Sequence, residues 1–207
     1  PIIIYYSLKQ IPLNIFTPII MTSPFFILIW SSLLQKEIIA LKYWIILIVG
    51  FMGTILIAKP TLFQTNPYIY LIFLVAAYNA LTSVIVSKFS NKATALGFSF
   101  YNLLPLTVFC IILFIFDPIK LINKELINIC IGGTFLFFAN YFLNLVFHIS
   151  GKFTRIISPL FFIQLIWASI LGNFFFNETL DYFSILGMVF IVISGTLTII
   201  STSQSKI

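Results

Sequence analysis

Charge is scarce in this sequence of 207 residues. Only 8% of the residues are Asp, Glu, Lys or Arg, whereas a soluble domain has about 25%. Hydrophobic residues make up 61%, and the mean hydropathy is +1.15. Because so little polar surface cannot cover the core of a soluble domain, the composition indicates a polytopic membrane protein.

Side chains that ligate metals or act as nucleophiles are scarce as well. The sequence has one His and two Cys, Cys110 and Cys130, with no CxxC pair and no His/Cys spacing typical of a metal site. We therefore expect no metal, no cofactor and no disulfide framework, and we expect both cysteines to be buried as small apolar residues. No carboxylate lies deep inside an apolar run either, which argues against an intramembrane enzyme.

Nucleic acid is excluded as a partner, although the net charge is +6. The Lys and Arg residues are scattered between apolar runs and form no basic stripe. The runs are continuous in Ile, Leu and Phe, without the alternation of a membrane β-barrel. Seven of them reach or approach the length that spans about 30 Å of hydrocarbon. They lie at 11–34, 43–58, 68–86, 93–116, 126–147, 156–176 and 182–200. The predicted fold class is an all-α, polytopic transmembrane helix bundle in a lipid bilayer.

The connections between the runs alternate between two sides of the membrane, and the two sides differ in charge. One side collects seven Lys or Arg residues, among them Lys88, Lys92 and Lys152, while the other collects four, among them Lys120 and Lys124. This excess predicts that the first side is cytoplasmic. The chain is then a multi-pass protein of the cytoplasmic (inner) membrane, with its C-terminus in the cytoplasm.

Two segments of the chain resemble each other. In 23–57 and again in 164–199, an apolar run ends near a Glu, a short connection follows, and a second run ends in Gly-Thr. Glu37 corresponds to Glu178 and Gly53 to Gly195, at nearly the same offset. Because the second Glu follows five runs after the first, the two copies are inverted relative to the membrane. Inverted repeats are a recurring construction of secondary transporters.

These motifs resemble the EamA domain of the drug/metabolite transporter superfamily. The first half of the resemblance rests on "YYSLKQIPL" (5–13), "SPFF" (23–26), Glu37 and "GFMGTILIAKP" (50–60). The second half rests on "FTRIISPLFFIQL" (153–165), Glu178 and "GMVFIVISGTL" (187–197). The resemblance implies that 1–60 is the C-terminal part of a first EamA repeat, and that 61–207 is a second repeat with a short cytoplasmic tail.

The resemblance also implies the full architecture, which is ten helices in two inverted five-helix repeats. The seven helices present here would be the fourth to the tenth. We therefore expect a chain that is truncated at its N-terminus, since "PIIIYY" reads as the end of an earlier apolar segment.

One apolar run carries a polar ladder. Asn140, Asn144 and His148 follow one another at intervals of four residues, with Tyr141 beside them, so they share a helix face. Polar groups in hydrocarbon usually face the bundle interior or a water-filled cavity, and we predict that this face lines the substrate path. The alternative is structural, since Asn side chains also hydrogen-bond to neighbouring helices.

Other polar residues of the runs are weaker candidates for the same path, each with a packing role as the alternative. They are Asn79 with Ser83, Asn102 and Gln164. Glu37 and Glu178, at run ends, are either loop and cap contacts or gates that pair with a basic residue. Arg155 is either a topology charge on the cytoplasmic side or a gate residue that attracts an anionic group at the cavity mouth. The expected lipid face of the ladder helix is formed by Leu136, Leu143 and Phe147.

Secondary transport of a small organic metabolite by alternating access is the favoured function. The resemblance implies solutes that are amino-acid-like, drug-like or similar to S-adenosylmethionine, and it leaves import and export open. The alternative is a non-transporting fragment or relic of such a carrier. The DNA upstream of Pro1 distinguishes the two, because an open frame for three more helices indicates a carrier and a stop codon indicates a relic.

Overall fold

The computed structural model describes residues 2–11, 13–59, 67–116, 123–151, 153–176 and 181–203. Within these ranges the chain forms α-helices and one 3₁₀ helix, and no strand. The helices are α1 (Ile2–Gln10), α2 (Leu13–Ile20), α3 (Ser23–Gln35), α4 (Leu41–Ala58), α5 (Tyr68–Lys88), α6 (Ala95–Phe116), α7 (Asn123–Ser150), α8 (Thr154–Ile157), the 3₁₀ helix (Ser158–Phe162), α9 (Ile163–Phe176) and α10 (Tyr182–Ser203). The predicted all-α fold class is confirmed.

Six helical segments in the described ranges are long and apolar enough to cross a membrane. They are Ile15–Gln35, Leu41–Ala58, Tyr68–Lys88, Ala95–Phe116, Leu126–Ser150 and Tyr182–Ser201. The remaining predicted run corresponds to a shorter apolar segment, Ser158–Phe174. Each of the seven apolar runs therefore has a helical counterpart.

The chain forms two compact units, and the boundary between them falls inside α5. Unit 1 combines Pro1–Val84 with Lys152–Ile207, and unit 2 is Ile85–Gly151. These two units do not coincide with the two predicted sequence repeats, whose boundary lies at residue 60. The repeat boundary stays a prediction.

Unit 1 is centred on the antiparallel pair of α4 and α10. The side chain of Lys59 at the end of α4 pairs with Asp181 just before α10, while Lys42 near the start of α4 donates a 3.2 Å hydrogen bond to the carbonyl of Ser201. Midway, Gly53 and Gly187 let the two backbones approach so closely that a Cβ on Gly53 would lie 2.5 Å from the Gly187 carbonyl oxygen. Small residues of this kind are the usual device for close helix packing in membranes.

Two Ser-Pro steps interrupt the helices of unit 1. Between α2 and α3, the Ser23 hydroxyl donates to the carbonyl of Ile20 at 2.7 Å, and Pro24 lies in the first turn of α3, where its missing N–H is tolerated. The second step, Ser158 and Pro159, begins the 3₁₀ helix, and both residues are buried. The predicted continuous run at 156–176 is thus broken into α8, the 3₁₀ helix and α9.

Unit 2 contains α6 and α7, which pack against each other. Here the structure corrects one expectation, because Cys110 on α6 and Cys130 on α7 are exposed rather than buried. The physical reason is the solvent. In a bilayer an apolar side chain is as well accommodated by lipid as by a protein core, so apolar character does not predict burial.

Candidate functional site

The polar ladder of α7 forms a hydrogen-bonded chain with the first turns of α6. Asn144, which is 6% exposed, donates through Nδ2 to the Ser99 hydroxyl at 2.9 Å and to Asn140 Oδ1 at 2.8 Å. The Ser99 hydroxyl in turn donates a hydrogen bond to the carbonyl of Ala95 at 2.8 Å. The buried amide of Asn144 thereby ties α7 to α6 and fixes the rotamer of Asn140.

His148 makes a second connection between α7 and the region just before α6. Its Nε2 lies 3.0 Å from the carbonyl oxygen of Ala93, a contact in which the protonated nitrogen donates. Nearby, the Ser87 hydroxyl donates to the carbonyl of Gly151, so that the end of α5 meets the end of α7. Asn144 and His148 therefore have structural partners within unit 2, which is the packing role that the sequence left open.

Several polar groups on the same two helices make no hydrogen bond to any described residue. These groups are the Asn140 Nδ2, the Asn102 amide and the Tyr141 hydroxyl. Asn102 is exposed on α6, while Asn140 and Tyr141 are half-buried on α7. An amide in a membrane span without a partner costs several kcal/mol unless water or a solute reaches it. These groups define the candidate site in unit 2.

The expected lipid face of α7 is only partly correct. Leu136 and Leu143 are exposed, as predicted, but Phe147 is fully buried. The prediction used only the direction of each side chain around the helix axis and not its position along the axis. Near its C-terminal end, α7 is buried on the side that is exposed nearer its N-terminal end.

Three other candidates for the substrate path lie in unit 1. Asn79 is exposed on α5, and the amide of its side chain bonds no described residue. Ser83 is buried and donates to the Asn79 carbonyl at 2.9 Å, so it is satisfied within its own helix. Gln164, at the start of α9, directs Nε2 to the sulfur of Met21 at 3.3 Å.

Glu37 is the functional candidate whose environment the sequence did not reveal. It lies in the connection between α3 and α4, yet it is only 8% exposed. The hydroxyls of Ser31 and Thr154, which lie 2.7 Å apart, both donate to Glu37 Oε2, the Thr154 bond at 3.2 Å. Thr154 begins α8, so this carboxylate joins the connection after α3 to the start of the broken helix.

The other two charged candidates cannot be added to this network. Glu178 lies outside the described residues, and Arg155 is described only through the backbone of α8. A polar signal was nevertheless present in the sequence, because Thr154 lies in the same motif as Arg155 and Ser31 lies in the same repeat segment as Glu37. In the part of the chain that the structure covers, no group of three or more His, Cys, Asp or Glu residues could hold a metal ion.

An ion pair lies at the ends of α4 and α10 that are opposite to Lys42. Asp181 accepts bonds from the Lys59 ammonium and, through Oδ1, from the backbone N–H of Ser184 at 3.2 Å and its hydroxyl at 2.6 Å. The Lys59 hydrogen bond, followed by that of Ser184, lowers the pKa of Asp181 from 3.8 to about 2. Asp181 is thus both the N-cap of α10 and an ion-pair partner.

Comparison with known proteins places these features in a family. A model of the EamA-like transporter family matches residues 66–200. The S-adenosylmethionine uptake transporter of Rickettsia prowazekii (strain Madrid E) is 27% identical over 201 residues, covering 97% of this chain and 67% of that protein. Its counterpart in Rickettsia bellii (strain RML369-C) is 27% identical over 204 residues, covering 96% and 67%.

Two further similarities are to a transporter of another organism and to a solved structure. An uncharacterized transporter of Helicobacter pylori (strain ATCC 700392 / 26695) is 28% identical over 205 residues, covering 93% of this chain and 67% of that protein. One solved crystal structure superposes with a TM-score of 0.73 at 18% identity, covering 95% of this chain and 72% of the other. At that identity the superposition supports the fold alone.

The family match covers more than half of the chain and includes the ladder helix. Together with six apolar helices of spanning length, it identifies a multi-pass membrane protein whose relatives handle small molecules. The chain therefore belongs to the EamA-like transporter family.

Proposed function

We propose that this protein is a secondary transporter that moves a small organic metabolite across the cytoplasmic membrane by alternating access. Among the solute classes that the sequence left open, we favour one similar to S-adenosylmethionine. Such a solute combines an adenine ring, an amino-acid group and a sulfonium cation. Its recognition needs uncharged hydrogen-bonding groups and aromatic faces.

The observation that carries the proposal is a set of amide groups on membrane-spanning helices that have no hydrogen-bond partner among the described residues. Asn140 Nδ2 and the Asn102 amide are available on α7 and α6, and the Asn79 amide is available on α5. If these amides had a purely structural role, they would hydrogen-bond to neighbouring helices, as the Asn144 amide does. Groups that are left over in a hydrocarbon environment need water or a solute, which is what a transport path supplies.

Aromatic side chains stand beside the candidate site in unit 2. Tyr141 and Phe142 have ring centroids 5.6 Å apart, and Phe137 and Phe138 lie 5.8 Å apart. Aromatic faces attract cations and stack on flat rings. The combination suits a solute that carries both a ring and a positive charge, and the names of the Rickettsia relatives agree with this choice of solute class.

The mechanism rests on inverted repeats. The antiparallel pairing of α4 with α10 is the arrangement expected of equivalent helices in such repeats. Glu37, at the entrance to α4, and Glu178, before α10, would then occupy equivalent places on opposite membrane sides. We propose Glu37, Arg155 and Glu178 as residues that stabilise one of the two access states.

Uptake of radiolabelled S-adenosylmethionine into cells that express the complete reading frame tests the function. We expect saturable uptake that unlabelled substrate abolishes. Asn140→Leu removes the free Nδ2 donor together with the Oδ1 that accepts from Asn144. For the donor alone we expect uptake to fall by about 2- to 12-fold, since one hydrogen bond contributes about 0.5–1.5 kcal/mol.

The matched control is Thr134→Val on the same helix. The Thr134 hydroxyl already donates to the carbonyl of Cys130 at 2.8 Å, so its loss should leave uptake unchanged. Wild-type uptake at the background rate would reject the solute class. Equal uptake by Asn140→Leu and Thr134→Val would reject Asn140 as part of the path.

The orientation is tested separately by cysteine labelling. The charge asymmetry predicts position 92 in the cytoplasm and position 120, which lies outside the described residues, on the external side. A membrane-impermeant reagent added to intact cells should label a cysteine at 120 and spare one at 92. The reverse pattern would invert the proposed topology, with the C-terminus outside.

A further inference from the structure

The connection between α5 and α6 in unit 2 carries two lysines around one aromatic ring. The ammonium groups of Lys88 and Lys92 lie 5.7 Å and 5.5 Å from the centroid of the Phe89 ring. A turn fixes this arrangement, because the backbone N–H of Lys92 donates to the carbonyl of Phe89 at 2.8 Å. Aromatic rings attract cations, so both positive charges are held beside the same ring.

No negative charge of the neighbouring chain compensates these two lysines. The sequence has no acidic residue within 38–116. In the described ranges, no carboxylate pairs with Lys88 or Lys92, whereas the ammonium of Lys59 pairs with Asp181. Because like charges repel each other, two ammonium groups beside one ring favour the binding of an anion.

Neutral hydrogen-bond donors lie between the two lysines. Ser90 and Asn91 occupy the turn, and Asn91 is exposed. Neither side chain hydrogen-bonds to any residue that the structure describes. A hydroxyl and an amide both donate to anionic oxygens, and hydrogen bonds from a lysine to a phosphate are among the strong ones. Two cations and two neutral donors are therefore available to one phosphodiester group.

The position of the connection indicates a lipid as the source of the phosphate. Tyr68–Lys88 and Ala95–Phe116 are consecutive segments of membrane-spanning length, so the residues between them mark one surface of the membrane. Apolar side chains are exposed at the same place, since Phe89 is 36% exposed and Leu96 57%. Acyl chains accommodate these side chains better than water does.

We propose that the connection between α5 and α6 binds an anionic phospholipid of the phosphatidylglycerol type, with its phosphate between Lys88 and Lys92. The two positive charges favour a headgroup with a net negative charge over a zwitterionic one, whose ammonium they repel. The acyl chains extend along Phe89 and Leu96. The proposal goes beyond the proposed transport function and is independent of the solute.

Native mass spectrometry of the purified full-length protein tests the proposal. Phosphatidylglycerol and phosphatidylethanolamine with identical acyl chains are added at equal concentrations. We expect the first lipid to bind about 30-fold more tightly, since each of two lysines contributes about fivefold, or about 1 kcal/mol. Equal binding would overturn the proposal, because it would indicate only non-specific lipid. Displacement of phosphatidylglycerol by inorganic phosphate would also overturn it and would indicate a soluble anion.

The decisive variants are Lys88→Gln and Lys92→Gln, which alter exposed side chains. We expect each to lower the preference for phosphatidylglycerol about fivefold. The control Lys36→Asn removes the same charge from an exposed lysine of unit 1, whose left-handed backbone, with φ at 56°, Asn tolerates. The control should keep the preference. An equal loss in all three variants would assign the effect to net charge and overturn the site.

Lys92→Arg separates the charge from the lysine side chain itself. Arg keeps the positive charge and binds phosphate well, so we expect this variant to prefer phosphatidylglycerol at least as strongly as the wild type. If Lys92→Arg loses as much of the preference as Lys92→Gln, the positive charge is not what binds the headgroup, and the proposal is wrong.

Discussion

Thr154 and Glu37 are separated by 117 positions in the chain, yet the Thr154 hydroxyl donates a 3.2 Å hydrogen bond to Glu37 Oε2. Both residues are buried, as is Ser31, whose hydroxyl completes the triangle. The bond joins the segment that precedes α4 to the first turn of α8. Unit 1 thus uses one carboxylate to connect its N-terminal and C-terminal portions.

Thr154→Val should destabilise the protein because it removes one donor and keeps the side-chain shape. A hydrogen bond to a charged group contributes about 1.5–3 kcal/mol, and Glu37 keeps its bond from Ser31, so we expect a lower midpoint of thermal unfolding in detergent with the carboxylate still held. Thr196→Val is the control, since the exposed Thr196 hydroxyl only donates to the carbonyl of Ile193 in its own helix. Equal midpoints for the two variants would show that the buried triangle contributes nothing.

The close approach of α4 and α10 predicts a second stability effect. In Gly53→Ala, the new methyl group would lie 2.5 Å from the Gly187 carbonyl oxygen, and a backbone atom cannot turn away. Overpacking of this kind costs about 1–3 kcal/mol, so we expect a clear decrease in the unfolding midpoint.

Gly133→Ala on α7 is the matched control for that glycine. No atom lies within 4 Å of the added methyl group at this position, so we expect little change in the unfolding midpoint. If Gly133→Ala is as damaging as Gly53→Ala, the loss reflects glycine replacement in general and not the contact between α4 and α10.

Much of the fold could be predicted from the sequence because membrane spans follow from hydropathy and length. The seven runs all correspond to helical segments, and the fold class was correct. The break at Ser158 was missed, since an apolar composition does not distinguish one long helix from α8, a 3₁₀ helix and α9. Pro159 was the available signal, and a proline in a first turn marks a new helix start.

The candidate site was harder to predict because a sequence shows which residues are polar but not how their bonds are satisfied. Asn140 and Asn144 look equivalent in the ladder. In the structure, however, Asn144 Nδ2 donates to Ser99 and to Asn140 Oδ1, whereas Asn140 Nδ2 has no partner among the described residues. The burial of Glu37 depends on Thr154, a contact too distant in the chain for local patterns to reveal. Cys110 is exposed because the surrounding lipid accommodates an apolar side chain, and the periodicity of the sequence does not show whether an apolar residue faces lipid or protein.

The ion pair of Lys59 and Asp181 predicts a dependence of stability on pH. The pKa of Asp181 is lowered from 3.8 to about 2, so the folded state binds protons less readily than the unfolded state. The stabilisation is therefore complete above the ordinary pKa of 3.8 and is lost as the pH falls toward 2. Because both side chains are substantially exposed, we expect a small effect that salt weakens.

Asp181→Asn isolates the charge in that experiment, since Asn can still accept the hydrogen bonds that cap α10. We expect its unfolding midpoint to lie slightly below that of the wild type at pH 7, and we expect the difference to shrink as the pH falls from 3.8 through about 2. A difference that stays constant over this range, or that does not change with salt, would assign the effect to the cap instead of the ion pair.

The proposed transport path predicts which positions of α6 and α7 meet water. Cys110 and Cys130 are first replaced by Ala, which is expected to be harmless because both side chains are exposed on apolar surfaces. Single cysteines are then placed at Asn140 and Asn102 in the candidate site, and at Leu136 and Leu143 on the lipid face. A water-soluble thiol reagent requires thiolate, which forms only where water reaches the sulfur.

We expect cysteines at 140 and 102 to react with the reagent, and we expect those at 136 and 143 to remain unmodified, although Leu136 and Leu143 are exposed. Exposure to lipid and exposure to water differ in this assay, because hydrocarbon excludes both the reagent and the thiolate. An excess of S-adenosylmethionine should slow the reaction at 140 if a solute occupies that amide position. A reactive cysteine at 143 together with an inert one at 140 would mean that the ladder faces protein, and the path would then have to be sought around Asn79 in unit 1.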